Sequence, residues 1–108
     1  MVRDELLRRR ADAESEAATL ARDLQALFAA SRDSNADDEH DPEGATIGFE
    51  RAQLTALLAA ARDRIAELDD ALRRVDAGGY GICERCGRPI APARLAARPF
   101  ARCCVECS

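Results

Sequence analysis

The sequence has no tryptophan and no lysine, and only one tyrosine and three phenylalanines in 108 residues. With so few aromatic rings there is little from which to build a core of large flat side chains, or a platform on which successive bases could stack. Long apolar runs are also missing: nothing approaches the roughly 20 residues that a membrane-spanning helix needs. The N-terminus, Met1-Val2-Arg3-Asp4-Glu5, carries acids where a secretory signal would carry an apolar run, so a cytoplasmic protein with no membrane association is expected. The chain also lacks a glycine-rich phosphate loop after a strand, a nucleophile-elbow serine, and a histidine-cysteine arrangement that leaves a metal position open. Its acidic cluster sits on a single turn, without the shaped cavity that metal-assisted hydrolysis requires, so no enzymatic activity is expected.

What is present is alanine, arginine and acid. Hydrophobic residues make up 47% of the chain, but much of that is alanine, which favours helices that approach closely over helices that bury bulky groups. A chain this short has little interior volume and must be stabilised by something besides a large core. Every basic residue is arginine, a usage that suggests a GC-rich genome. The formal net charge of −4 is unevenly spread. Residues 31–45 hold one arginine against six acids, whereas residues 78–108 hold five arginines against two acids.

Two apolar seams run at alternating steps of three and four. The first is Leu6, Ala13, Ala17, Leu20, Leu24 and Leu27, with Arg10 where an apolar residue should stand. The second is Ile47, Leu54, Leu58, Ala61, Ile65, Leu68, Leu72 and Val75, interrupted by Arg51. Each is a narrow stripe of the coiled-coil kind. Between them, Ser31 to Gly44 is polar and helix-breaking. Within it, Asp41-Pro42-Glu43 supplies a capping carboxylate, a proline suited to the first helical position and an acid at the positive end of the dipole. The second helix should begin at Pro42 or shortly after Gly44 and stop at Gly78-Gly79, a length of about 50 Å. A short connection and two matching stripes imply a mostly α fold, an antiparallel coiled-coil hairpin over residues 1–77 with its acidic tip at about 33–45. The alternative is that the stripes pair between chains, as a dimeric coiled coil.

The last quarter carries Cys83-Glu84-Arg85-Cys86 and Cys104-Val105-Glu106-Cys107, two C-x2-C units separated by seventeen residues. In a reducing compartment, cysteines so crowded point to metal before disulfides. A two-residue spacer lets two sulfurs of one turn reach a single ion, and four thiolates close a tetrahedral zinc site without an open position. Residues 78–108 are therefore expected to form a small four-cysteine finger around one structural Zn2+, with metal binding coupled to folding. Gly87 suits the tight turn after the first pair. Cys103 could offer itself with Cys107 across a three-residue spacer; Cys104 keeps the symmetric pattern and is taken as the ligand, leaving Cys103 as a spare thiol.

Around these cysteines the sequence resembles the zinc finger of the DksA/TraR family. The resemblance rests on Tyr80-Gly81 before Cys83, Cys86-Gly87, Ile90, Arg94-Leu95, Ala97-Arg98-Pro99 and Ala101, and is dense over residues 80–107. Over residues 1–79 the likeness is one of architecture. It implies a transcription regulator that binds RNA polymerase, with a helical hairpin entering the secondary channel and an acidic tip near the catalytic magnesium. The zinc-finger body would dock outside. It also implies a monomer without sequence-specific DNA binding, and some members cooperate with the alarmone ppGpp. The family's tip pattern, Asp-x-x-Asp-x-Ala, falls by ungapped counting on His40, Glu43 and Ala45. Only the alanine is identical, Glu43 is a conservative replacement, and His40 is flanked by Glu39 and Asp41. Asp37, Asp38, Glu39, His40, Asp41, Glu43 and Ala45 are thus the candidate polymerase-contacting tip, although taken alone such a run is usually a solvated loop. Arg94 and Arg98 are candidate docking residues or internal braces. With one residue after Cys107, the chain resembles short, actinobacterial-like members that lack a C-terminal helix. The competing reading is a dimeric coiled-coil zinc-finger adaptor that binds another protein or nucleic acid.

Overall fold

The computed structural model describes residues 2–33 and 42–108, with side chains described for 2–30 and 46–108. Of the expected tip, Asp37, Asp38, Glu39, His40 and Asp41 lie outside the described residues. Glu43 and Ala45 fall in a helix, but their side chains are likewise outside the description.

Helix α1 spans Val2–Asp33 and contains neither glycine nor proline; Asp4 and Glu5 lie in its first turn, where acids favour the positive end of the dipole. Helix α2 spans Pro42–Ala77, starting on the proline whose missing N–H costs nothing at a helix start. Its end is a Schellman motif: Gly78 takes φ 86°, its N–H donates to the Val75 carbonyl at 3.1 Å, and the Gly79 N–H donates to the Arg74 carbonyl at 2.9 Å. A third helix, α3 (Pro92–Ala97), also begins on a proline and was not anticipated by the cysteine pattern.

The chain folds as two compact units, Met1–Asp12 with Arg64–Ser108, and Ala13–Asp63. In the first, Leu6, Leu68, Ala71 and Leu72 form the core, with Val75, Tyr80 and Phe100 packed against it. Arg3 pairs with Asp76 at 3.3 Å and Arg10 pairs with Asp69, so its helix segments run antiparallel. In the second unit Leu20, Leu58 and Ala61 are buried, with Ala17, Ala21, Leu24 and Leu54 around them. There the Arg51 guanidinium lies 5.7 Å from the centre of the Phe28 ring.

Both interruptions of the seams thus have partners on the opposite helix. Arg10 reaches a carboxylate and Arg51 an aromatic face, so a long cation with an apolar stem can occupy a seam position at the edge of so thin a core. The two long helices form a hairpin, followed by a four-cysteine finger. Among the described residues no helix is long and apolar enough to cross a membrane.

Candidate metal centre

The finger is built from two knuckles. In the first, Gly81 (φ 82°) turns the chain, the Ile90 N–H donates to the Gly81 carbonyl at 2.7 Å, and the Cys83 N–H donates to the Arg88 carbonyl at 2.9 Å. Residues 81–90 therefore fold back on themselves, with an antiparallel bridge between Ile82 and Pro89. At the bend Gly87 takes φ 74° and its N–H closes on the Cys83 carbonyl at 3.0 Å. No atom lies within 4 Å of where a Cβ on Gly87 would stand, so the backbone angle alone calls for glycine there. In the second knuckle the Cys107 N–H donates to the Cys104 carbonyl at 3.1 Å, and the Glu84 N–H donates to the Arg102 carbonyl at 3.0 Å, joining the two.

These turns gather four sulfurs. The Sγ atoms of Cys83, Cys86, Cys104 and Cys107 lie within 4.8 Å of one another, and those of Cys86 and Cys104 are 3.8 Å apart. Four sulfurs at about 2.3 Å from a central zinc define a tetrahedron with edges of about 3.8 Å, so the donor set and its spacing fit one structural zinc. Cys83 is buried, at 1% exposure. Hydrogen bonds from the amides of Cys86, Cys104 and Arg85 hold its thiol down to about 5. The Cys86 thiol is also lowered, by the amide and then the side chain of Arg88. Cys107 is pushed up to about 12, because its sulfur shares hydrogen bonds with Cys104 and Cys83, is drawn out of water, and sits beside the charge of Cys104. Thiolates gathered this closely oppose one another's charge, and a divalent ion among them removes that conflict. Cys103 is not part of the cluster; burial, and then the neighbouring Cys83, raise its thiol.

The arginines of this segment divide by role. The Arg94 Nε donates to the Cys103 carbonyl at 2.9 Å, which braces the second knuckle from α3. Arg98 is exposed, with its guanidinium 5.8 Å from the centre of the Phe100 ring. Arg88 pairs with Glu106 at 3.2 Å. Arg85, Arg94, Arg98 and Arg102 line an open cavity of about 450 Å3 together with Glu67 and Asp70, the last of which accepts from Arg102. Ile90, Pro99 and Ala101 are buried, and Phe100 packs on the helical core.

Two residues that fix the finger in its unit carry no signal in the sequence. Arg74 donates from Nη1 to the Ala101 carbonyl at 3.2 Å and from Nη2 to the Phe100 carbonyl at 3.1 Å. Asp70 accepts from Arg102 and lies 3.3 Å from the Arg74 Nε. One arginine and one aspartate on a charged helix look like any others until the partner carbonyls are placed.

This architecture, a helical hairpin carrying a four-thiolate finger, defines a class that comparison with known proteins identifies. Residues 78–107 match the family described as the prokaryotic dksA/traR C4-type zinc finger. The RNA polymerase-binding transcription factor DksA of Caulobacter vibrioides is 53% identical over 55 residues, covering 47% of this chain and 39% of that protein. General stress protein 16O of Bacillus subtilis is 34% identical over 73 residues, covering 68% of this chain and 45% of that protein. These matches span less than half the length of either curated relative. The structure of transcription factor DksA2 from Pseudomonas aeruginosa superposes with a TM-score of 0.80 at 29% identity, covering 98% of this chain and 76% of that one. Residues 78–107 thus carry a zinc finger of the dksA/traR type, and the fold of the chain is similar to that of DksA2.

Proposed function

We propose that this protein binds RNA polymerase as a monomer and regulates transcription in the cytoplasm. In this reading the hairpin of residues 1–77 enters the secondary channel, carrying Asp37, Asp38, Glu39, His40, Asp41, Glu43 and Ala45 toward the catalytic centre. The finger of residues 78–108, closed by Cys83, Cys86, Cys104 and Cys107 around one zinc ion, docks on the enzyme's outer surface. The observation that carries the reading is the joint match: a C4 finger of dksA/traR type over residues 78–107, on a fold that superposes on DksA2 over 98% of the chain. The charge distribution supports it, because six acids lie in residues 31–45 and the finger is basic, suited to an acidic protein surface. Arg98 is the better placed docking residue, since Arg94 already spends its Nε on the Cys103 carbonyl. ppGpp would act at the interface with polymerase. No sequence-specific DNA contact is part of the proposal.

The test is capture of purified core RNA polymerase by the zinc-loaded protein, with a second secondary-channel factor as competitor. Binding that the competitor displaces is the expected result. Absence of binding would overturn the proposal and favour an adaptor that uses its finger on another protein or on nucleic acid.

A further inference from the structure

The metal cluster and the end of α2 are linked within one unit through hydrogen bonds to the backbone of segment 100–104. The link starts at Arg74, the residue whose backbone carbonyl accepts the Gly79 N–H at 2.9 Å and so closes the helix cap. The side chain of the same residue, only 14% exposed, turns toward the finger and donates to the carbonyls of Phe100 and Ala101. Those carbonyls stand three and four residues before Cys104. The next carbonyl, that of Arg102, accepts the Glu84 N–H from the first knuckle, and the Cys104 amide donates to the Cys83 sulfur. A shared ion that draws Cys104 and Cys107 to the same point as Cys83 and Cys86 would fix segment 100–104 in these positions.

We propose that Arg74 is the positioning residue through which zinc occupancy and the order of the C-terminal end of α2 are coupled. With zinc bound, the two carbonyls are fixed where the guanidinium fork can take both. With zinc removed, the segment loosens, the fork loses its acceptors, and a largely buried guanidinium is left poorly satisfied beside Asp70, so the last turns of α2 fray. Linkage makes the coupling reciprocal: whatever zinc contributes to the helix end, the helix end contributes to zinc affinity. The inference rests on the geometry of the finger and is independent of the polymerase reading.

The experiment follows amide hydrogen exchange in the full-length protein with zinc bound and after chelation, alongside zinc affinity measured by competition with a chromophoric chelator. In the unaltered protein, chelation is expected to speed exchange of the amides of Leu72 to Ala77 about tenfold, the scale of one lost charge-assisted hydrogen bond. Arg74→Met, which keeps the apolar stem, should exchange fast at these amides even when zinc-loaded and bind zinc about tenfold more weakly. Arg74→Lys, which keeps charge but not the fork, should fall between. Arg10→Met serves as the control, because it removes the ion pair with Asp69 and leaves Arg74 and its two carbonyl acceptors in place, and its zinc affinity should stay within about twofold. The proposal is overturned if chelation leaves the end of α2 as protected as before, or if Arg74→Met binds zinc normally. It is equally overturned if Arg10→Met weakens zinc as much, since the coupling would then run through general helix stability. The chelation arm needs no variant and stands even if Arg74→Met does not fold.

Discussion

Leu57 and Leu58 are adjacent leucines on the same helix, and the structure gives them opposite fates: Leu57 is 45% exposed and Leu58 is 7% exposed. Replacing each by alanine removes the same three carbons. At Leu58 nearly all of that surface is buried against Leu20 and Ala61, and at about 0.8 kcal/mol per buried carbon the transfer loss is about 2.4 kcal/mol. The added cavity penalty should be small, since in a core one layer thick the gap opens to water, and alanine returns a few tenths through its helix propensity. A net loss of about 2 kcal/mol is expected, which at about 4–6 °C per kcal/mol lowers the melting temperature by about 8–12 °C. Leu57→Ala, with about half of its side-chain surface already exposed, should move it by about half as much, about 4–6 °C. Circular dichroism at 222 nm on the zinc-loaded variants reads both. Equal shifts, or a larger one at Leu57, would show that the seam is not registered on Leu58 and that the pairing in the second unit is wrong.

Cys104→Ser should lose stoichiometric zinc while Cys103→Ser retains it, read by metal analysis after dialysis; zinc retained in Cys104→Ser would move the ligand to Cys103. Alanine at both Asp41 and Glu43 is expected to abolish the effect on transcription while polymerase capture largely survives, and normal regulation by that variant would remove the tip from the mechanism. At Asp70 burial opposes ionisation, but Arg102, Arg74 and Arg73 outweigh it and hold the carboxyl below its usual value. The folded-state value being the lower one, the stability this carboxylate contributes is complete above about pH 4 and is lost as pH falls through that depressed value. Asp70→Asn should therefore melt lower than the unaltered protein at pH 6 and converge on it in acid; a constant gap between the two melting curves from pH 6 to pH 3 would contradict this.

The helical seams and the metal centre are the parts most legible in the sequence, because each depends on spacing. A three-four repeat places Leu6, Leu20, Leu58 and Leu68 on buried stripes, and paired C-x2-C units bring four sulfurs together. The helix end at Gly78 is legible for the same reason, as the left-handed angle there is costly to any residue with a Cβ. Ala71 is fully buried yet does not stand out, since in a chain so rich in alanine one more at an interior position is indistinguishable from those on the surface. Arg10 and Arg51 read as defects in the stripe until Asp69 and Phe28 are placed opposite them. Helix α3 is concealed between the cysteine pairs, although Pro92 followed by Ala, Arg, Leu, Ala and Ala is a run that favours a short helix once noticed. The Arg74 and Asp70 contacts cannot be read at all, because their partners are mostly backbone carbonyls and an arginine from a part of the chain distant in sequence.

The buried alanines also set a dimension. Helices that meet through small side chains can settle toward the near end of the usual range of about 8–10 Å between axes, whereas leucine against leucine holds them at the far end. In the second unit Ala17, Ala21 and Ala61 line the contact beside Leu20 and Leu58, so girth there is governed by methyl groups. A larger residue at Ala61, fully enclosed as it is, would act as a shim, thickening that stretch without lengthening it. A series of such shims would be a calliper for any opening through which the stretch has to pass.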